Sequence, residues 1–305
     1  MKFVFIIFLL SVSLISFAAN SVTILIDPGH GGKDPGHLPT LDGIMQEKEI
    51  VLAISTKLGH YLTHNLSNVT VLYTRTSDTY PTLDERVEMA NARGVDYVIS
   101  IHVNGSENAD VYGTETHIHN YDAKKSHQWA VLIEDQFKNR AGRKSRGVKT
   151  ADDIGHSLQL VKFTKMPTVL VECGFITNAS EAKYLNSVYG QEILASAIFR
   201  ATRDMLKKNH PEICFDPPAD PQLIATSNEP YYKVQIMSSI DSVATDILEF
   251  QKLEYPVECV KIEGSSIYKY KYYVGPFKDK SEAKKAQKDV QANGFGDAFL
   301  VLFPA

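Results

Sequence analysis

The chain has 305 residues, 44% hydrophobic and 22% charged, which is enough length and apolar content for about two domains with full cores and excludes a disordered chain. Its 32 Lys and Arg against 36 Asp and Glu give a net charge of -4. That balance offers no general attraction to a polyanion, so no nucleic-acid partner is expected.

In chain order, the basic Met1-Lys2, the apolar run 3–15 and the small-residue pattern Ser16-Phe17-Ala18 read as a secretory signal peptide over residues 1–18, cut after Ala18. An uncleaved anchor is the alternative, although the run is slightly short for a span. The expected product is exported to the periplasm or cell envelope and is not an integral membrane protein. The first cysteine is Cys173, so none sits near the cut to carry a lipid. With Cys214 and Cys259 it makes three, too few for a disulfide framework, and a Cys214–Cys259 bridge stays open.

Residues 22–26 form a first apolar strand, and Ile50, Val51, Ile54, Leu58, Tyr61 and Leu62 place one apolar face on a helix over 47–65. A strand at 69–74 follows. Thr82 and Glu85 have capping-box spacing for a helix running to about residue 92, and Gly94 stops it. Strands at 96–101 and 168–171 flank a helix around 127–140, and a last helix covers about 189–208. Alternating strands and helices predict an α/β domain over 22–208, with a mostly parallel sheet flanked by helices. Residues 103–165 are the least patterned part. Pro217, Pro218 and Pro221 break every regular pattern and predict a linker over 209–230. Residues 231–305 then read as strand 231–238, helix 241–252, strands 257–263 and 267–276, helix 280–292 and strand 297–303, a small α+β domain of βαββαβ order.

Three strands run into residues with metal or proton chemistry: the first into Asp27-Pro28-Gly29-His30, the second into His102, the third into Glu172. Parallel strands gather such ends at one sheet edge, and Glu47 at the start of the first long helix reaches the same edge. Two imidazoles and one carboxylate make a three-ligand zinc site with a position left for water, and the remaining carboxylate is placed to move a proton. The alternative for each residue alone is a surface or core role, and Glu47 could simply favour a helix N-terminus. His117 and His119 alternate after Gly113 and could form a second metal site, but a polar edge strand is the expected reading. His37, His60, His64, His127, His156 and His210 lack a second ligand at a telling spacing. Cys173 is expected to be a small buried side chain, and Arg75 and Arg86 to order loops. Asn104 is a weak candidate for substrate contact.

The segments Asp27-Pro28-Gly29-His30-Gly31-Gly32-Lys33-Asp34-Pro35-Gly36, Glu47-Lys48, Thr74-Arg75, Leu83-Asp84-Glu85-Arg86 with Ala90-Asn91, Ser100-Ile101-His102-Val103-Asn104 and 171–178 occur in one order over about 22–205. This set resembles the zinc-dependent N-acetylmuramoyl-L-alanine amidase family. The resemblance implies one Zn2+ per chain on His30, Glu47 and His102, with Glu172 as the catalytic carboxylate. It also implies hydrolysis of the amide between the lactyl group of N-acetylmuramic acid and the L-alanine of the stem peptide in peptidoglycan. The loop 37–43 is looser than the motif around it, and no segment reads as the blocking helix that some relatives carry over the zinc.

Residues 231–305 carry 10 Lys and no Arg against 10 Asp and Glu, and 12 of the chain's 29 Tyr and Phe. Tyr268, Tyr270 and Tyr272 alternate with Lys269 and Lys271, which puts tyrosines on one strand face and lysines on the other. Tyr232-Lys233-Val234-Gln235-Ile236, Tyr273-Val274-Gly275-Pro276-Phe277 and Ser281-Glu282-Ala283 resemble the SPOR domain. That likeness implies binding to denuded glycan strands and a place at the division septum, where a protein activator is a further expected partner; the glycan-binding residues are unknown. Together the two resemblances imply cell-wall remodelling and daughter-cell separation. The competing readings are a non-catalytic wall-binding or activator protein and a zinc peptidase cutting within stem peptides.

Overall fold

The computed structural model describes residues 21–211, 213, 230–262 and 268–303. The expected signal peptide, most of the expected linker and Cys214 with its proposed bridge lie outside the described residues. The first domain runs β1 (Val22–Pro28), α1 (Glu47–Asn65), β2 (Val69–Tyr73), α2 (Leu83–Arg93), β3 (Tyr97–Asn104), β4 (Thr114–His117), α3 (Lys124–Asn139) and β5 (Ser145–Lys149). It continues through α4 (Ala151–Ile154), α5 (Gln159–Phe163), β6 (Thr168–Phe175), α6 (Ala179–Asn186) and α7 (Val188–Asn209).

The six strands order as β2-β1-β3-β6-β4-β5, and every neighbouring pair is parallel except β4 with β6. Helices cover both faces because the inner strands are apolar on both. Ile24, Ile26, Val169 and Val171 pack with Ile54, Leu58, Trp129 and Ile198 on one side, while Leu25 and Val98 meet Ala90 and Leu160 on the other. α2 starts as its sequence predicts. The Thr82 hydroxyl accepts from the Glu85 amide at 3.2 Å, the Glu85 carboxylate accepts from the Thr82 amide at 2.7 Å, and Gly94 ends the helix at φ 57°.

β4 is not an edge strand. β5, which carries no apolar period, pairs outside it, so His117 is buried rather than on a polar rim. Order also runs past residue 209: the Tyr97 hydroxyl and His210 Nε2 lie 2.8 Å apart, and Ile213 is buried in the main core.

The second domain comprises β7 (Tyr231–Ser239), α8 (Leu248–Gln251), β8 (Val257–Lys261), β9 (Tyr270–Phe277), α9 (Lys280–Ala292) and β10 (Phe299–Phe303), with its antiparallel sheet in the order β10-β7-β9-β8. The helix expected over 241–252 shrinks to α8. The backbone there bonds elsewhere: the Ile240 and Asp241 amides donate to Glu192 Oε1 at 3.0 and 3.2 Å, and the Val243 amide donates to the Tyr272 hydroxyl at 2.6 Å. Tyr272 is fully buried in the domain core, which settles the reading of that tyrosine.

The domains share an interface. Tyr189 of α7 lies in the apolar cluster of Val234, Met237 and Phe250, and the Tyr61 ring sits 5.7 Å from that of Tyr268. Buried Lys57 of α1 donates to Glu192 of α7 at 3.3 Å and pairs with Asp241 of the second domain. Among the described residues, no helix is long and apolar enough to cross a membrane.

Candidate metal and catalytic site

The ends of β1, β3 and β6 lie side by side, and His102 stands in register with Glu172. A buried ionic knot under the β1 end holds the first histidine loop. Asp27 accepts from the Thr74 and Ser100 hydroxyls and from Arg86 Nη1, each at 2.6 Å. Burial pushes the Asp27 carboxyl up, but Arg86 and the two hydroxyls more than reverse this and leave it below its ordinary value. Arg86 also donates to the carbonyls of Pro28 and His30 at 2.8 and 2.6 Å, and Arg75 donates to those of Pro28, Gly29 and Lys48 at 2.7–2.9 Å. Both arginines therefore order loops, as the sequence reading expects.

His30 sits in the left-handed region at φ 59°, a strained setting for a side-chain-bearing residue that these contacts maintain. Its Nδ1 lies 2.8 Å from Asp34 Oδ2, and its Nε2 lies 3.0 Å from Glu47 Oε1. His102 Nδ1 lies 3.3 Å from the same oxygen. One donor atom from each of His30, Glu47 and His102 falls within 4.8 Å of the others, the single such group among the described residues. Two glycines make room for it. A Cβ on Gly29 would lie 2.3–2.7 Å from His102 ring atoms, and one on Gly36, at φ 71°, would lie 2.4 Å from Glu47 Oε2.

Glu47 is buried; its Oε1 accepts from the Val103 amide at 2.9 Å and its Oε2 from the His37 amide at 2.7 Å. Burial alone would raise this carboxyl, but His102, His30 and His37 hold it well below the ordinary range. His37 is a residue the sequence reading missed: its Nδ1 is 3.0 Å from Glu47 Oε2 and 3.2 Å from the Val103 carbonyl. Its spacing of ten residues from Glu47 carries no helical or strand period, so no pattern signals the contact.

Glu172 is half-buried, and its Oε2 is shielded from solvent without a hydrogen-bond partner. Burial raises its carboxyl well above the ordinary value, and the nearby charges of Glu47 and Glu115 add to the shift. Such a group holds a proton more readily than a solvated carboxylate does. Glu115 of β4 is in register with Glu172 and accepts from Arg146 Nε at 3.1 Å and Asn104 Nδ2 at 3.4 Å. Asn104 Oδ1 also accepts from the Gly105 amide at 2.8 Å, so its amide is committed to the protein at both ends. Both ring nitrogens of His117 are buried without partners, and burial lowers its pKa to about 4. Cys173 is fully buried in the core, and burial raises its thiol well above the usual range.

The model for the N-acetylmuramoyl-L-alanine amidase family matches residues 24–204, more than half of the chain. The chain belongs to that family. The SPOR domain model matches residues 228–302. The N-acetylmuramoyl-L-alanine amidase LytC of Bacillus subtilis is 37% identical over 181 residues, which cover 59% of this chain and 34% of that protein. The chain thus spans about a third of that amidase's length. The crystal structure of the N-acetylmuramoyl-L-alanine amidase of Clostridium difficile 630 is similar at 30% identity and TM-score 0.58, covering 62% of this chain and 98% of that one. The catalytic domain of CwlV, an amidase from Bacillus (Paenibacillus) polymyxa, is 29% identical at TM-score 0.56, covering 61% and 98%.

Proposed function

We propose that the protein is a zinc-dependent N-acetylmuramoyl-L-alanine amidase that removes stem peptides from peptidoglycan in the extracytoplasmic envelope. The observation that carries this reading is the meeting of His30, Glu47 and His102 at one sheet edge beside Glu172, in a chain of the amidase family. The donor set suits zinc: two imidazoles and a carboxylate are a common three-ligand set that leaves a position for water, and Asp34 on His30 Nδ1 fixes that ring's orientation. His30, Glu47 and His102 hold the ion, one per chain, and when bound it polarises the amide carbonyl and makes water more acidic.

The chain's own residues do the rest. Asp34 keeps the His30 proton on Nδ1, so that Nε2 faces Glu47. Glu172, free of protein partners at Oε2, takes the proton of the attacking water and passes it to the L-alanine nitrogen as the C–N bond breaks. The products are a free lactyl carboxylate on the glycan and a peptide with a free L-alanine amine. The SPOR domain holds the glycan from which peptides have been removed, concentrating the enzyme on its polymer. Denuded glycan at the septum makes daughter-cell separation the matching process, with an activator protein as a further partner.

Mass spectrometry of purified sacculi digested with the protein, with and without a zinc chelator, tests this. Chelator-sensitive release of intact stem peptides beginning with L-alanine is expected. Internally cut peptides would instead make it a peptidase, and no release at any zinc level would make it a wall-binding or partner-activated protein.

A further inference from the structure

The substrate in the proposed reaction is anionic. The stem-peptide residue after L-alanine is a glutamate joined through its side chain, so its α-carboxylate stands free one residue beyond the scissile amide, unless the wall carries it as an amide. Glu47 is a ligand of the proposed zinc ion, but Glu115 and Glu172 still place carboxyl groups beside the substrate, so a basic side chain there would favour an anionic peptide.

Of the basic side chains near the β1 end, Lys33 is exposed and lies over the Tyr80 ring, 4.9 Å from its centroid, while three others are committed to the protein. Arg75 and Arg86 are bound to backbone carbonyls and to Asp27, and Lys48 donates to the Gly32 carbonyl and Asp78, each at 2.8 Å. Arg146 differs. β4 and β5 pair through Thr114 with Ser145 and Thr116 with Val148, so Arg146 and Gly147 together oppose the single residue Glu115. This one-residue bulge, with Gly147 at φ 83°, re-aims the side chain of an edge strand. Arg146 uses Nε on Glu115 at 3.1 Å and lies over the Phe175 ring, 5.1 Å from its centroid. Both its partners adjoin Glu172: Glu115 is in register with it, and Phe175 is three residues further along β6. The side chain is 33% exposed, and among the described residues its two terminal nitrogens have no protein acceptor. A guanidinium fixed at Nε and stacked on one face leaves its terminal fork oriented for a carboxylate.

We propose that Arg146 binds the free glutamate α-carboxylate of the stem peptide and makes the enzyme prefer this carboxylate over the corresponding amide. The inference rests on the amidase reading. Glu115 is the positioning residue for the fork, and Asn104 shares that role through its own bond to Glu115.

The test compares two soluble muropeptides that differ only in glutamate against its α-amide. Wild type is expected to show kcat/KM on the order of 10- to 100-fold higher for the carboxylate form, the range of a charged hydrogen-bonded contact. Removing Arg146 alone strands the buried Glu115 charge, so the informative variant is R146M/E115Q, which keeps both side-chain volumes and is neutral. It should hydrolyse the two forms at nearly equal kcat/KM, while R146K keeps part of the preference. A purely structural role would slow both substrates together and leave their ratio intact, which overturns the inference. Equal rates in the wild type also overturn it while leaving the amidase reading in place. A wild type that hydrolyses neither form removes the amidase reading and the inference with it.

Discussion

Replacing Arg86 with Met should leave the Asp27 carboxylate buried with only two hydroxyl donors. The substitution removes a 2.6 Å ion pair between side chains that are 4% and 2% exposed, together with bonds to the Pro28, His30 and Pro81 carbonyls. Breaking a buried pair from one side costs about 3–5 kcal/mol. For a domain of this size that corresponds to a fall in Tm of roughly 6–20 °C, measured by calorimetry or circular dichroism. The pH dependence gives a sharper test. In the wild type the Asp27 carboxyl lies below its unfolded value, so its contribution is full above that value and is lost as pH falls through the folded one. In R86M burial outweighs the remaining hydroxyls and the carboxyl moves up. Protonation then relieves the variant as pH falls while it weakens the wild type. The stability gap should be widest near neutrality and close in acid, and adding D27N should recover part of the loss. A gap that stays constant across this range, or an unchanged Tm, would refute the argument that Asp27 is a buried charge held by Arg86.

E172Q should bind as much zinc as wild type yet lose about 10²- to 10⁴-fold in turnover on muropeptides. Metal analysis paired with product release checks this, and turnover close to wild type would remove Glu172 as the proton carrier. G29A places a methyl group within 2.3–2.7 Å of His102 ring atoms. The ring must shift, so zinc affinity should drop on the order of tenfold or more in a competition titration with a chromophoric chelator, while the helical circular dichroism is retained. An affinity equal to wild type would mean that His102 has another way to reach the ion.

The elements that position the site are the ones whose sequences carry a clear period. β1, β3 and β6 are short apolar runs, α1 shows a continuous apolar stripe, and a Thr82–Glu85 capping box opens α2. The convergence of His30, Glu47 and His102 follows because parallel strands must present their carboxyl ends together. What the sequence hides is non-local. β5 is a polar Ser-Arg-Gly-Val-Lys edge strand held by pairing and a bulge, so it leaves no alternation to read, and without it β4 looks like an edge. The stretch 241–247 has helix-compatible residues, but its amides find Glu192 and Tyr272, and distant partners outweigh local propensity. His37 reaches Glu47 through a loop with no repeating geometry. Arg146 is marked only by a glycine after it, a signal that acquires meaning once the register with β4 is known.

The docking of the second domain onto α1 and α7 changes what a proline-containing connection can be taken to mean. A tether sets a cloud of distances between two modules, and its length decides how often both engage. Here buried Lys57 and Glu192 meet Asp241 of the second domain at the rim of the seam, and Tyr189 inserts into that domain's apolar core. Two modules locked this way work as a caliper. On the proposed reading, the separation between a glycan strand held by one jaw and an amide presented to the other is set by packing across the seam between the domains and not by the length of the chain that joins them.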